Sequence, residues 1–302
     1  MAPVLELLIL FGLWIVPLYL FVQILLYWRR CQGRIDRRSP LTRDLLRSPG
    51  QSLQEQLEDS RLDTMAYLSV GTAGPLVGYG MYLANRLHQP EPSLVIVLSC
   101  VFTGAAIWGV CLYKVWQLIK ARNKLQLGYE AELAAGQELT LLAHDGYWVF
   151  HDFPAEKFNI DHVVVGPSGV YAVETKGRPK RSSNGDNKGW EVEYDGRSLR
   201  FPEWTETAPL QQASNQAKWL KEWLSSAVGE PLQVEPVLIL PGWFVRRTTS
   251  EGITVLNPKN AGGYFKRSGK QPLSEKLIKQ IVHQLDQRCR NVTPKAYTAP
   301  EE

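Results

Sequence analysis

Asp161, Glu174 and Lys176 are the residues of this chain best suited by type and spacing to do chemistry. They lie in NIDHVVVGPSGVYAVETKG, from Asn159 to Gly177, whose ends read as two strands and whose middle, GPSG, reads as a turn. Side chains alternate faces along a strand, so Glu174 and Lys176, two apart, share one face. The turn folds the strand bearing Asp161 back alongside, and the three groups can converge. Two carboxylates supply hard oxygen ligands of the kind that suit Mg²⁺, which keeps waters and phosphate oxygens in its shell. Such an ion polarises a phosphoryl oxygen and favours hydroxide as nucleophile. An ammonium beside it positions water and offsets developing negative charge. D-x(12)-E-x-K is therefore the minimum set for metal-assisted phosphodiester hydrolysis. The competing reading is a solvated Glu–Lys surface pair, which is worth little.

The elements around this hairpin read as a mixed α/β domain beginning near Leu125. GYEAELAAGQELTLLAHDG spaces Leu133, Leu139 and Leu142 near helical intervals and ends on a D-G turn signal. YWVFHDF alternates like a strand. After the acidic hairpin comes a polar loop, RPKRSSNGDNKG, then a second hairpin, WEVEYDGRSLRF, with Asp195-Gly196 as its turn. PLQQASNQAKWLKEWLSSAVG is an amphipathic helix with Pro209 early and Gly229 at its end. A buried strand is expected near Val237 to Leu240, a short one in GITVL, and a closing helix in SEKLIKQIVHQLDQRCR with Ser274 as cap. Residues 291–302 read as a disordered polar tail. This order is that of a restriction-endonuclease-like core, an α/β fold with a mixed central sheet flanked by helices.

Upstream, the composition changes. The chain has 302 residues, enough for roughly two domains, and its 44% apolar residues crowd into the first third. Three uncharged runs, about 7–28, 65–84 and 93–113, approach the roughly 20 residues that cross a bilayer. The first exceeds the apolar core of a signal peptide and lacks a small-residue cleavage site. The second is rich in Gly and holds Pro75, and a buried soluble helix is its competing reading. Arg29, Arg30, Arg34, Arg37 and Arg38 follow the first run, and Lys114, Lys120, Arg122 and Lys124 follow the third. The positive-inside rule then places the N-terminus outside and the α/β domain in the cytoplasm. The expected organisation is thus an α-helical transmembrane anchor region over 1–124, with about three spans and a cytoplasmic connector at 29–64, then the α/β domain over 125–290. Glu6 lies at the edge of the first run and the later two hold no ionisable residue, which argues for an anchor rather than a transporter. The four Cys match no zinc or disulfide spacing. A net charge of +4 is weak evidence for an anionic partner.

NIDHVVVGPSGVYAVETKG closely resembles the core signature of the nuclease-related domain, NERD, a family placed in the PD-(D/E)xK nuclease superfamily. The resemblance runs from about Gly128 to Leu220. The family's upstream G-x-x-G-E corresponds to GYEAE, which puts Glu132 on its glutamate and Ala131 where it has a second Gly. Its downstream N-P-x-x-Q corresponds to APLQQ, which puts Gln212 on its glutamine and Ala208 where it has Asn. What the resemblance implies is a cytoplasmic, metal-dependent nuclease-like domain. The expected partner is nucleic acid, DNA more than RNA, and the expected location is a bacterial inner membrane. Asp161 and Glu174 would hold Mg²⁺ or Mn²⁺ and Lys176 would orient water. Glu132 would add a further carboxylate, and Gln212 would contact water or phosphate. Arg178, Lys180, Arg181 and Lys188, in the loop after the site, are candidates for phosphate contacts, with Arg246 and Arg247 extending them. Trp190 and Trp204 could stack on bases or pack in the core, Trp219 and Trp223 read as core, and His162 reads as structural. The alternative function is a catalytically silent module that binds nucleic acid or protein at the membrane. A homo-oligomer is compatible with either reading.

Overall fold

The computed structural model describes residues 40–88, 93–180, 189–267 and 272–294, with Gln23, Ile24 and Tyr27. The described chain divides into two compact units, one containing Asp59–Ala121 and the other made of Asp44–Glu58 with Arg122–Thr293.

The second unit is built on a five-stranded sheet. Its strands are β2 (Trp148–Pro154), β3 (Asn159–Gly166), β4 (Gly169–Thr175), β8 (Val234–Ile239) and β10 (Thr254–Leu256), in the order β10-β8-β4-β3-β2. β2, β3 and β4 form an antiparallel meander, while β8 and β10 run parallel to β4. The expected hairpin is therefore present, with Gly166 opposite Gly169 across a two-residue turn. Pro236 is tolerated in β8 because β10 begins pairing only at Val237, so the missing N–H at Pro236 falls where the edge is open.

Helices cover both faces of this sheet, as apolar residues on alternate strand positions require. On one face, Ala217, Leu220 and Leu224 of α3 (Ala208–Val228) and Ile281, Leu285 and Cys289 of α5 (Glu275–Cys289) close over Phe153, Ile160, Val163, Val165 and Ala172. On the other, Ala135 and Leu139 of the long helix α2 (Leu94–Thr140) and Phe265 of α4 (Ala261–Arg267) pack on Val164, Tyr171, Val173 and Val237. Both amphipathic helices end as their sequences foretell. Gly229 caps α3 in the left-handed conformation at φ 80°, and the Ser274 hydroxyl accepts from the Leu277 N–H at the start of α5.

A smaller four-stranded sheet joins β5 (Glu191–Tyr194), β6 (Leu199–Arg200), β7 (Thr205–Glu206) and β9 (Phe244–Arg247), in the order β7-β6-β5-β9. Its apolar face forms a third cluster around Trp243, Tyr194, Leu199 and Leu238. Trp204 stacks on Phe201 at 4.6 Å beside Trp243, so it packs in this cluster, whereas Trp190 is exposed and meets Phe244 edge-on. Trp219 and Trp223 stack on each other against the first cluster.

Two expectations are corrected. Asn291 and Val292, placed by sequence in the polar tail, belong to β11 (Arg290–Val292), which pairs antiparallel with β1 (Leu45–Leu46). A partner strand more than 200 residues away leaves no local pattern in the sequence. The other correction concerns the membrane region. Among the described residues one helical stretch, Leu94–Asp145, is long and apolar enough to cross a membrane, not about three. Its apolar part is the run from Leu94 to Tyr113. The run 65–84 lies within helix α1 (Gln51–His88) but fails that test, because its glycines, Ser69, Thr72 and Pro75 dilute the apolar residues. The run 7–28 falls outside the described residues, apart from the three named above. Within the first unit α1 and α2 approach closely at Gly78, where a Cβ would stand 2.6 Å from the Cys100 carbonyl oxygen.

Candidate active site

The acidic hairpin brings its three groups together where β3 and β4 part. Residues 162 and 173 are paired, and the next step places Asp161 opposite Glu174. There the ladder gives way to a side chain: the Thr175 N–H donates to Asp161 Oδ2 at 2.7 Å. Lys176 Nζ pairs with Glu174 Oε1 at 2.5 Å, as expected of two residues sharing a face. Glu174 is fully buried, and its second oxygen, Oε2, has no hydrogen-bond partner.

Glu132 reaches the same place from helix α2. The approach depends on Gly177, where a Cβ would lie 2.7 Å from the Leu127 carbonyl oxygen and 3.0 Å from Ala131 Cβ. The glycine that follows E-x-K thus lets the helix pass against the end of β4. Ala131 in turn fills the position beside Glu132 that contacts this glycine.

Crowding of carboxyls governs the electrostatics. Burial, followed by repulsion from Glu174 and Glu132, holds the Asp161 carboxyl well above its ordinary range, against the opposing Thr175 N–H and Lys176. Burial, then repulsion from Asp152 and Glu174, pushes Glu132 up to about 8. Burial also raises Glu174, with Lys176 the largest opposing influence. Three carboxyls in one low-dielectric place cannot all ionise near neutral pH without more positive charge than Lys176 provides.

Sequence reading missed two residues here. Gln216, one helical turn beyond Gln212 on α3, is 3% exposed. Its Nε2 donates to the Asn159 carbonyl at 3.3 Å, and its amide stands close enough to Glu174 to favour the charged carboxylate. Gln212 itself is exposed on the helix surface. The signal was the i, i+4 spacing of the two glutamines, which puts them on one helix face at different depths. Asp152 of β2 is the other. It is buried, lies opposite Asp161 in the strand register, and has φ 47°. Its carboxylate accepts from Arg47 Nε and Nη2, from Ser52 N–H and hydroxyl, and from Asn159 Nδ2. An aspartate among the aromatic and apolar residues of YWVFHDF was the visible clue.

His162 is fully buried and its Nδ1 lies 2.9 Å from His151 Nδ1. Burial holds both rings neutral, with His151 lowered to about 4. The pair is a contact between β2 and β3.

The basic residues are mostly engaged. Arg178 forms a two-point ion pair with Glu206, at 2.8 and 2.9 Å. Lys180 donates to the Gly242 carbonyl. Arg246 pairs with Glu191 and Glu193, and Arg247 donates to the carbonyls of Thr249, Ser250 and Glu251. Arg178 and Lys180 thus reach across to β7 and to the turn before β9, whereas Arg246 and Arg247 find partners on their own sheet or in the turn that follows. Arg181 and Lys188 lie outside the described residues.

Residues 127–241 match the family model of NERD, the nuclease-related domain. No curated protein and no solved structure matches the chain. The NERD segment contains Glu132, Asp152, Asp161, Glu174, Lys176 and Gln216. Arg47 and Ser52, which hold Asp152, and helices α4 and α5 lie outside it. Among the described residues there is no group of three or more His, Cys, Asp or Glu placed to enclose a metal ion. A cation here would be held by one or two carboxylates and otherwise by water or substrate oxygens, which is how Mg²⁺ is commonly bound.

Proposed function

We propose that the NERD segment is a metal-dependent nuclease of the PD-(D/E)xK type, held at the cytoplasmic face of a membrane by the apolar part of α2. The observation that carries this reading is the convergence of the buried Glu174 carboxylate with Asp161 and Lys176, one of its oxygens, Oε2, being met by no full-strength hydrogen bond although the Gln216 amide stands near the carboxylate. A buried unsatisfied carboxylate oxygen is costly unless something positive reaches it. The raised pKa values of its neighbours point the same way. This donor set fits Mg²⁺ or Mn²⁺, with Asp161 and Glu174 as the holding residues. A bound divalent ion would supply Lewis-acid polarisation of the phosphoryl oxygen and a more acidic water.

The chain's own residues do the rest. Lys176, on Glu174 Oε1, keeps a positive charge where the phosphate becomes more negative, and it orients the attacking water. The Thr175 N–H fixes Asp161, leaving its other oxygen for the substrate side. Gln216 holds Glu174 against the Asn159 backbone. Glu132 retains a proton near neutral pH until a cation arrives. Arg178 is paired with Glu206, whereas Lys180, on a neutral carbonyl, keeps its charge for phosphate together with Arg181 and Lys188, which lie outside the described residues. DNA is the preferred substrate over RNA.

The test compares the full chain with its Lys176→Ala variant. Labelled double-stranded DNA, single-stranded DNA and RNA are incubated with Mg²⁺, Mn²⁺ or EDTA. The expected outcome is cleavage that requires metal and falls at least roughly 100-fold in the variant, the scale of losing one group aimed at transition-state charge. Absence of cleavage on every substrate, with nucleic acid still bound, would transfer the assignment to a silent binding module.

A further inference from the structure

Beside the acidic site a groove of about 440 Å³ runs along the start of α3, lined by Phe158, Ala208, Gln211, Gln212, Asn215 and Gln216. Its size is within the range of small-molecule sites. The lining is unusual in carrying four carboxamides, one aromatic ring and no charge. Gln216 connects the groove to the chemistry, because the same side chain touches Asn159 and stands against Glu174. Its Nε2 is committed to the Asn159 carbonyl, while its Oε1 is buried with no partner. The groove's accessible amides are those of Gln211, Gln212 and Asn215, which are exposed along the start of α3.

We propose that this groove takes the base of an unpaired nucleotide adjoining the phosphate handled at Asp161, Glu174 and Lys176. The inference rests on the nuclease reading and narrows it to single-stranded or locally opened nucleic acid. A phosphate would call for cations, and the lining holds none. Carboxamides offer a donor and an acceptor together, which is the pattern of a base edge. Phe158, 38% exposed, supplies a ring at the groove's wall. Amide edges plus an aromatic are how proteins hold bases that have left the stack, whereas a paired and stacked base presents neither its face nor its pairing edge.

The test measures binding by the full chain of a fluorescein-labelled 12-nucleotide DNA strand, its duplex, and an abasic strand of equal length. Ca²⁺ replaces Mg²⁺ to slow cleavage. Two variants, Phe158→Ala and the double variant Gln211→Ala/Asn215→Ala, alter the groove and leave the acidic residues in place. Melting temperatures check that both remain folded. The expected result is that the intact strand binds more tightly than the abasic one. Each variant should lose roughly 5- to 100-fold affinity for the intact strand, the range of one base contact, and nothing for the abasic strand. Equal binding of intact and abasic strands, or equal weakening of both by the variants, would overturn the groove assignment and leave the nuclease reading standing. Failure to bind any strand, together with no cleavage in the Lys176→Ala comparison, would remove both.

Discussion

At the scale of the residue, the site is a place where negative charge has been packed beyond what its one lysine can balance. Glu132 shows the consequence most clearly. An unfolded glutamate ionises near 4.5, whereas the folded one holds its proton up to about 8. The folded state therefore keeps this contribution to stability at acid pH and loses it as pH rises from about 4.5 through about 8. Glu132→Gln removes the loss. Without metal, the variant should melt several degrees above the parent at pH 8 and alongside it at pH 4.5, by calorimetry at the two values. Equal melting at pH 8 would mean that the carboxyl is relieved by water rather than by protonation. Mg²⁺ should act in the same direction as the substitution, since a cation displaces these protons and its apparent affinity must weaken as pH falls. The three groups of the hairpin were legible in the sequence because period-two alternation and a short turn leave little freedom in where they point. Gln216 was not, because a helix surface offers several polar positions and only depth against the sheet distinguishes residue 216 from 212.

At the scale of the element, Asp152 joins three parts of the fold that are far apart in the chain. It takes two donors from Arg47 in the segment after β1, two from Ser52 in the first turn of α1, and one from Asn159 at the start of β3. Asn159 then passes its carbonyl to Gln216, which stands against Glu174. The two members of the Arg47–Asp152 pair are not equivalent. Without Arg47 the carboxylate keeps Ser52 and Asn159, and a helix N-terminus favours a negative charge. Without Asp152 the guanidinium, 11% exposed, keeps among the described residues a single side-chain hydrogen bond, at 3.4 Å to Asn291. Asp152→Ala should thus cost about 3–5 kcal/mol, the loss from uncoupling a buried charge, and Arg47→Ala clearly less. The double variant should cost less than the two losses added, because the sites share one network. Urea unfolding of the four proteins reads all three quantities, and additive losses would show that the pair is uncoupled. Sequence periodicity anticipated the helices at α3 and α5 and the strands around the site, since each buries a local repeat of apolar residues. It could not anticipate β1 with β11, or the left-handed Asp152, because both depend on partners in distant parts of the chain.

At the scale of the whole molecule, the division of the chain in space differs from the division in composition. Composition changes near Leu125, and a boundary drawn there separates apolar runs from the α/β domain. The compact unit that holds the site instead includes Asp44–Glu58, which precede the apolar runs 65–84 and 93–113 in the chain. That segment supplies β1, Arg47, Ser52 and Pro49, whose ring sits where a Cβ on Gly136 would be 2.6 Å away. It reads as a polar connector because its contribution is a few hydrogen bonds and one short strand, with no apolar period to reveal it. The NERD match, beginning at residue 127, leaves it out as well. A fragment from Leu125 to Glu302 therefore loses the four Asp152 donors that come from Arg47 and Ser52 and β1, the strand that pairs with β11, and it keeps every carboxylate of the site. Its melting temperature should fall well below that of the α/β unit in the full chain, with metal-dependent stabilisation reduced or absent. Supplying residues 44–58 as a separate peptide should restore part of both, in a concentration-dependent way, as binding to the folded state alone requires. A fragment that melts like the parent, indifferent to the peptide, would show that the site is carried by the 125–302 region alone and that the recruited segment serves only to join it to the rest of the chain.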